Sequence, residues 1–532
     1  MKKWTTGSIL ILFIFFSSPL SHGQEKSLNS GEVYDSAIEL FYKGRYDEAI
    51  EGFSKLIQSF PTSKLVSYSQ YMIGQCYLNM GKYEGALQQF ELYLKTYPHG
   101  NRVKETEKGI QISKEKLKAE KREYGVAEGT RSISEEAIKV EVKAITEESK
   151  KLEVKFLPEV KRVKRRICAQ VFYFDGKNLE EVEKRVKKLK NAGVDTLILR
   201  VFQNKGDRMY KFVTPRHEEG VYFKTEYAPV VDDILGKLAE IVHRNGLDIF
   251  AWITTRYANY GSEGHPEYRC KSYNFETKKM EVARGFNLFH PDVLKRLEGL
   301  FRDLGRYPID GILFQDDLIL KHNEDFSADA NKAFLKEFGY SPHPDLFYID
   351  PYKSDSGKYY VKAYTDHFWS WANWKNRWLM NLAKQLMTAA KESNPNLKFG
   401  INLYYESVLN NSNAVAWFSQ TLSEALEKDF DYYAVMAYHR QTMKELNMEE
   451  RKAIELMSEV AQKAVKSVGD PSKVLMKVQI LDWKNYEVIP KKEVEELLAG
   501  ILNHGEVSLA FVPYIDQFPL HALKGKWQPL NR

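Results

Sequence analysis

Four carboxylates crowd the end of one short apolar run. In DGILFQDDLILKHNED (310–325), Ile312, Leu313 and Phe314 lead directly into Asp316 and Asp317, and Glu324 and Asp325 follow. The run is short enough for a buried strand. A buried strand that spills into acids is how a parallel α/β barrel presents catalytic groups at its mouth. The chemistry such acids suit is glycosidic bond hydrolysis. One carboxylic acid protonates the leaving oxygen, and a second group acts as base or nucleophile. Adjacent residues on a strand point to opposite sides, so at most one of Asp316 and Asp317 faces the bond being broken. Two neighbouring carboxylates also push one pKa upward, which favours a proton donor near neutral pH. Glu324, Asp325, Glu406 and Asp482 are all candidates for the second acid, and the residues do not choose between retaining and inverting chemistry. Glu324 and Asp325 also precede a helix start near Ser327, where acids suit the helix dipole.

The elements that must position these groups alternate from Ile167 onward. Strand candidates fall at Ile167–Phe174, Thr196–Val201, Asp248–Ile253, Gly311–Phe314, Lys398–Leu403, Tyr432–Met436, Val474–Gln479 and Val507–Val512. Amphipathic stretches lie between them, at Leu179–Asn191, Val231–Asn245, Pro291–Gly305, Trp369–Ser393 and Lys491–Asn503. Gly193 and Gly246 stand just past two of these, as helix C-terminal glycines should. Eight strands with helices between them predict an α/β fold, a (β/α)8 TIM-like barrel spanning 166–532. The runner-up, a doubly wound sheet, lacks a glycine-rich phosphate loop after its first strand.

Strand ends in such a barrel carry function. Besides the four acids, they offer Tyr173, Trp252, Asn402, Tyr404, Glu406, Tyr438, His439, Asp482, Trp483 and Tyr514 as substrate-binding candidates. Aromatic faces with acids between them suit a sugar chain, whose C–H faces stack on rings while its hydroxyls take directional hydrogen bonds. Asp316, Asp317 and His322 lack a distinctive metal-ligand spacing, so no metal and no cofactor are expected.

The rest of the chain sets the context. Lys2 and Lys3, the apolar run Ile9–Phe16, and Ser21 and Gly23 read as an export signal over 1–23 cleaved near Gly23, and a periplasmic protein is expected. The apolar run is too short to span a bilayer, so an integral membrane protein is not expected. Over 31–121, Gly44-Arg45-Tyr46-Asp47-Glu48-Ala49 recurs as Gly81-Lys82-Tyr83-Glu84-Gly85-Ala86, an offset of 37 that also pairs Phe53 with Phe90 and Pro61 with Pro98. That period predicts an all-α tetratricopeptide-like repeat domain, whose usual role is to hold a protein partner. Residues 122–165 form a charged linker. Residues 101–166 hold 19 Lys and Arg against 13 Asp and Glu, an excess equal to the net +6 of the whole chain. The remainder is balanced, which argues against nucleic acid as a partner. The basic end of the linker, up to Arg166, reads as a solvated run before the first strand. Cys76, Cys168 and Cys270 are too few and too scattered for a disulfide framework or a zinc site.

Several segments resemble, in order, the C-terminal glycoside hydrolase domain of the PgaB family, which processes poly-β-1,6-N-acetylglucosamine. DGILFQDDLILKHNED resembles that family's aspartate-rich fourth strand, INLYYESVLNNSNAVAWFSQTL its fifth and FDYYAVMAY its sixth. VQILDWKN and LAFVPYIDQFP resemble its seventh and eighth. The resemblance implies an endo-acting hydrolase of a partly de-N-acetylated glucosamine polymer, with Asp316 and Asp317 at the essential acidic positions and Glu324 and Asp325 beside them. Departures are specific. Gln315 stands for the family's His, His322 for an Asp, Ala169 and Val171 for acids of the first strand, and Arg200 for a Gln of the second. Most of these remove negative charge or add positive. No Asp–His–His pattern of a metal-dependent deacetylase is present. The function expected is therefore a periplasmic glycoside hydrolase acting on a β-linked amino-sugar exopolysaccharide, docked by its repeats to an export or synthesis complex. The alternative is a non-catalytic polysaccharide-binding scaffold of a secretion complex.

Overall fold

Strands buried on both faces must be mostly apolar, and the eight runs read from the sequence are. The structure, a computed structural model, describes residues 30–128 and 163–527 apart from 43–44, 62, 64, 98–101, 355–356 and 358. The expected export signal and most of the linker lie outside the described residues.

The strands are β1 (Ile167–Val171), β2 (Thr196–Arg200), β3 (Asp248–Ile253), β4 (Gly311–Phe314), β5 (Lys398–Leu403), β6 (Tyr432–Ala437), β7 (Val474–Gln479) and β8 (Ser508–Val512). All neighbours are parallel. β1 pairs with β8, Cys168 opposite Ala510, which closes the barrel and excludes the doubly wound alternative. β1 is shorter than expected. Tyr514 N–H takes the Gln170 carbonyl at 2.7 Å, and the chain leaves the ladder after Val171. β4 opens on Gly311 because a Cβ there would stand 2.6 Å from the Lys398 carbonyl and from the Phe250 ring. Helices start and stop where their caps allow. Asn178 accepts from Glu181 N–H at 2.9 Å to begin Leu179–Asn191, and Gly193 and Gly246 adopt φ of 93° and 69° just past two helices.

The N-terminal end of the barrel is plugged by Arg166. Its Nη1 donates to Asp248 Oδ2 at 2.6 Å and Thr196 Oγ1 at 2.8 Å, and its Nε donates to the Tyr432 hydroxyl at 2.7 Å. The guanidinium also lies over the Phe250 ring, 4.8 Å from its centroid. Arg165 donates to the carbonyls of Val507 and Trp527 at 2.9 and 2.7 Å. The end of the basic run is therefore not solvated. Its last two arginines close the floor of the barrel, because buried carbonyls and Asp248 need donors there.

The chain divides into two units. One is the barrel, from Arg162–Pro342 and Trp371–Arg532; the other comprises Ser18–Lys161 with the insertion His343–Ser370. Among its described residues the N-terminal part of the second unit holds the helices Ser30–Tyr42, Tyr46–Ser59, Val66–Asn79, Tyr83–Thr96 and Val103–Glu128. Tyr46 and Tyr83, one repeat apart, each begin a helix. Ala49, Phe53, Ala86 and Phe90 are fully buried. Phe90 wedges where only glycine leaves room: a Cβ on Gly74 or Gly109 would stand 2.5 Å from its ring. This is the stacked repeat that the 37-residue period implies. The insertion, which carries the antiparallel hairpin Tyr348–Lys353 and Tyr359–Tyr364, has no signal in the strand–helix alternation. No helix among the described residues is long and apolar enough to cross a membrane.

Removing Arg166 leaves Asp248 without its closest cation and the Tyr432 hydroxyl without its donor. Arg166→Met is expected to destabilise the barrel by about 2–3 kcal/mol in urea unfolding, because removing one partner strands the other; Lys164, 3.1 Å from Asp248, retains part of the pairing.

Candidate active site at the C-terminal mouth of the barrel

The two adjacent aspartates after β4 part company. Asp317 is 1% exposed and turns back onto the loop after β3. Its carboxylate accepts from the backbone N–H groups of Thr255, Arg256 and Tyr257 at 3.1, 2.8 and 2.8 Å, and from the hydroxyls of Thr254 and Thr255. Five donors saturate it. Asp316 is only partly buried, and its own backbone N–H is the one donor recorded at its carboxylate among the described residues. Burial raises its pKa above the ordinary carboxylate value; Lys477 opposes that rise and Asp317 adds to it. The two neighbouring side chains thus differ in their surroundings, Asp317 buried and fully bonded and Asp316 partly exposed.

Glu324 and Asp325 lie in a buried layer behind. Arg256, fully buried, donates to Glu324 Oε2 at 2.7 Å, to the Ile319 carbonyl at 3.0 Å and to Cys270 Sγ at 3.2 Å. Burial alone would raise the Glu324 pKa, but Arg256 and Lys321 hold it below the ordinary value. Asp325, with no exposed surface, accepts from Lys271 N–H at 2.9 Å and Ser327 N–H at 2.8 Å. Lys375 Nζ donates to the carbonyls of Lys321 and Glu324 and lies 3.5 Å from the centre of the Trp371 ring. These acids pin the loop between β4 and the helix Ala328–Phe338; neither is open to the mouth.

Asp316 shares the mouth with groups from β5, β6 and β7. Asn402 on β5 donates to the Phe314 carbonyl at 2.8 Å, which turns its Oδ1 toward Lys477 Nζ at 2.9 Å. Tyr404 stacks flat on Phe418, centroids 4.1 Å apart, with its hydroxyl 3.4 Å from the Asp316 carbonyl. Tyr438 meets Trp483 edge-on at 5.7 Å and lies under Lys477 Nζ at the same distance from its centroid. Asp316 is among the causes that raise the hydroxyl pKa of both tyrosines, after burial. Trp252 lies lower, 7% exposed and packed against Phe172 and Phe202, a member of the barrel core rather than an open platform.

The other expected residues are tied to local partners. His439 is fully buried, with Nε2 2.6 Å from Glu493 Oε1 and Nδ1 without a partner among the described residues. Lys444 holds Asp482 at 2.5 and 2.7 Å. The Tyr514 hydroxyl donates to Asp516 at 2.8 Å, and the Tyr173 hydroxyl accepts from Arg208 at the same distance. Glu406 differs. It is 4% exposed, its Oε2 is unpartnered among the described residues, and burial, with Glu445 nearby, lifts its pKa to about 7. Tyr404 feels both Asp316 and Glu406.

Lys477 was not among the residues singled out from the sequence. A lysine inside VLMKVQ, an otherwise apolar parallel strand, is the signal that identifies it, since charges are almost never fully buried without a purpose. Thr254 and Thr255 carried no signal, because their role appears only once Asp317 is placed against them.

Comparison with known proteins agrees with this architecture. Residues 174–512 match hypothetical glycosyl hydrolase family 13, and residues 26–107 match an outer membrane lipoprotein family. The poly-beta-1,6-N-acetyl-D-glucosamine N-deacetylases of Escherichia coli K12 and O157:H7 are 26% identical over 285 residues, 50% of this chain and 37% of theirs. The chain thus spans little more than a third of the length of these curated relatives. The glycoside hydrolase domain of PgaB (BpsB) from Bordetella bronchiseptica superposes with a TM-score of 0.55 at 18% identity, covering 68% of this chain and 98% of that domain. With more than half of its length matched, the chain belongs to hypothetical glycosyl hydrolase family 13.

Proposed function

We propose that this protein is a periplasmic, endo-acting glycoside hydrolase that cleaves a β-linked amino-sugar exopolysaccharide, partly de-N-acetylated poly-N-acetylglucosamine or a related polymer. Its repeats dock it to an export or synthesis complex. The observation that carries the reading is Asp316, a partly exposed carboxyl with a raised pKa at the C-terminal mouth of a (β/α)8 barrel. The names of the relatives support the amino-sugar substrate and the cell-envelope setting.

In this reading Asp316 is the general acid. Its proton passes to the glycosidic oxygen as the C1–O bond breaks, and positive charge develops on the sugar ring. Asp317, with its lone pairs taken by the loop after β3, positions Asp316 instead of reacting. Glu324 and Asp325 hold the loop that follows. The mouth therefore offers one open protein carboxyl for a reaction that needs two functional groups. An N-acetylated substrate supplies the second itself: its acetamido oxygen attacks C1, as in substrate-assisted glycosidases. Tyr404, Tyr438 and Trp483 present rings for the sugar faces.

Asp316→Asn should lower the rate of reducing-end release from the polymer by about 10²–10⁴-fold while leaving the melting temperature unchanged. Asp317→Asn should instead cost roughly 2–3 kcal/mol of stability, since an amide cannot accept from all five donors. Equal melting temperatures for both variants, with activity intact, would reject the assignment.

Glu406 gives a separate test. Its acid titrates near 7 in the folded protein against an ordinary 4.5, so between those values the folded chain holds a proton that the unfolded chain releases. Stability should therefore fall as pH rises from about 4.5 through 7, by about 3 kcal/mol from this group, and Glu406→Gln should make that slope shallower in denaturant titrations without removing the share of Asp366, whose acid is also raised to about 7.

A further inference from the structure

We propose that one layer of the barrel interior is a binding site for internal water: a fixed cluster of water molecules joins Lys477 to Gln170 and Trp252 and, together with Asn402, solvates the buried ammonium. This stands apart from the hydrolase reading, since no step of the reaction enters it.

The register defines the layers. In a closed eight-stranded parallel barrel, side chains pointing inward stack in layers of four drawn from alternate strands. Cys168 on β1 pairs with Thr196 on β2, and Thr196 pairs with Asp248 on β3. Two residues further along β3 stands Phe250, in the layer of Cys168. The same step carried round the barrel adds Gly400 on β5 and Leu475 on β7. The next layer comes from the other four strands, as Ile198, Leu313, Ala434 and Ala510. Cys168, Phe250, Leu475 and these four all belong to the apolar core. The layer after that, one step nearer the mouth, is Gln170, Trp252, Asn402 and Lys477. All four are buried. A position that barrels usually fill with branched apolar side chains thus carries two amides, an indole N–H and an ammonium.

These groups do not satisfy one another. Asn402 is committed on both sides: its amide nitrogen donates to the Phe314 carbonyl at 2.8 Å, and its Oδ1 accepts from Lys477 Nζ at 2.9 Å. The ammonium has three donors, and Asn402 takes one of them. The Tyr438 ring, 5.7 Å from Nζ, presents a face and not a lone pair. Gln170 Oε1 and Trp252 Nε1 have no partner among the described residues. One layer higher, Gln315 Oε1 and Arg200 Nε are in the same position. Donors and acceptors are both left over. An anion would meet only the ammonium, the indole and the guanidinium, whereas water gives and takes hydrogen bonds and serves the amide oxygens as well. Buried water is held by two to four such bonds, in places where bare polar groups would be costly. Burial brings the Lys477 pKa down to about 8, with Asp316 opposing that fall. The lysine therefore keeps its charge through the neutral range, and a charge so placed needs solvating groups around it.

The test uses the full chain. A crystal structure at a resolution that shows ordered solvent is expected to place two or more waters about 2.6–3.2 Å from Lys477 Nζ, Gln170 Oε1 or Trp252 Nε1, each touching at least two of these atoms. In solution, the indole N–H of Trp252, assigned by its loss in Trp252→Phe, should give a nuclear Overhauser cross-peak to water with the sign of a long-lived bound molecule. Gln170→Leu should remove at least one of the waters and weaken that cross-peak. Urea midpoints of Gln170→Leu, Lys477→Met and the double variant should be non-additive, the double costing less than the two singles together, because both residues hold the same waters. A dry layer, an ion in place of water, direct hydrogen bonds among the three atoms, or waters and cross-peak unchanged in Gln170→Leu would overturn the proposal. So would additive midpoints. If Lys477→Met does not fold, the crystal structure and the Gln170→Leu comparison decide.

Discussion

The mouth of the barrel is organised around one carboxylate whose lone pairs are taken up by backbone and hydroxyl donors. Asp317 collects five hydrogen bonds from Thr254, Thr255, Arg256 and Tyr257, and in doing so welds the end of β4 to the loop after β3. A buried carboxylate without donors would be prohibitively costly, so the loop must stay where its N–H groups converge. Arg256 belongs to that same loop. Its guanidinium carries the constraint onward to Glu324 and to the Ile319 carbonyl, so the chain after Asp317 is held at both ends. Asp316 lies next to this anchored residue and is partly exposed.

Charge at the mouth is distributed in a way that supports this division. Asp317, Glu324 and Asp325, which hold backbone or a cation, are buried, whereas Asp316 is partly exposed. Lys477 stands opposite it in the barrel wall, and Tyr404 and Tyr438 flank the pair. Burial keeps a proton on Asp316 longer than water would, while the lysine limits how far its pKa can climb. A general acid needs that balance, since it must hold its proton at the working pH and still give it up in the transition state.

Much of this was legible in the sequence. In a closed parallel barrel every strand is largely apolar on both faces, so the strands stood out as mostly apolar runs; β3, β4, β5 and β7 occupy the expected residues. The repeat period likewise located the helices, because Tyr46 and Tyr83 begin equivalent turns. What could not be read was which strand-end side chains are free. His439 and Asp482 follow their strands as site residues should, yet Glu493 and Lys444, remote in sequence, claim them. Arg166 appeared to be the tail of a solvated run, although Asp248 and Tyr432 draw it into the barrel floor. Pairings across the fold decide availability, and single-strand patterns do not encode them. Lys477 is the converse case: a charge in an apolar run, visible in the sequence and explained only by the residues it meets.

The most direct test of the central claim is a crystal structure of Asp316→Asn with a β-linked N-acetylglucosamine oligosaccharide bound. The account predicts the sugar chain lying across the mouth, with the side chain at position 316 within about 2.6–3.2 Å of a glycosidic oxygen and Asp317 still buried against the loop after β3. A chain bound elsewhere on the barrel, or one whose nearest carboxyl group is Asp317 or Glu324, would contradict it.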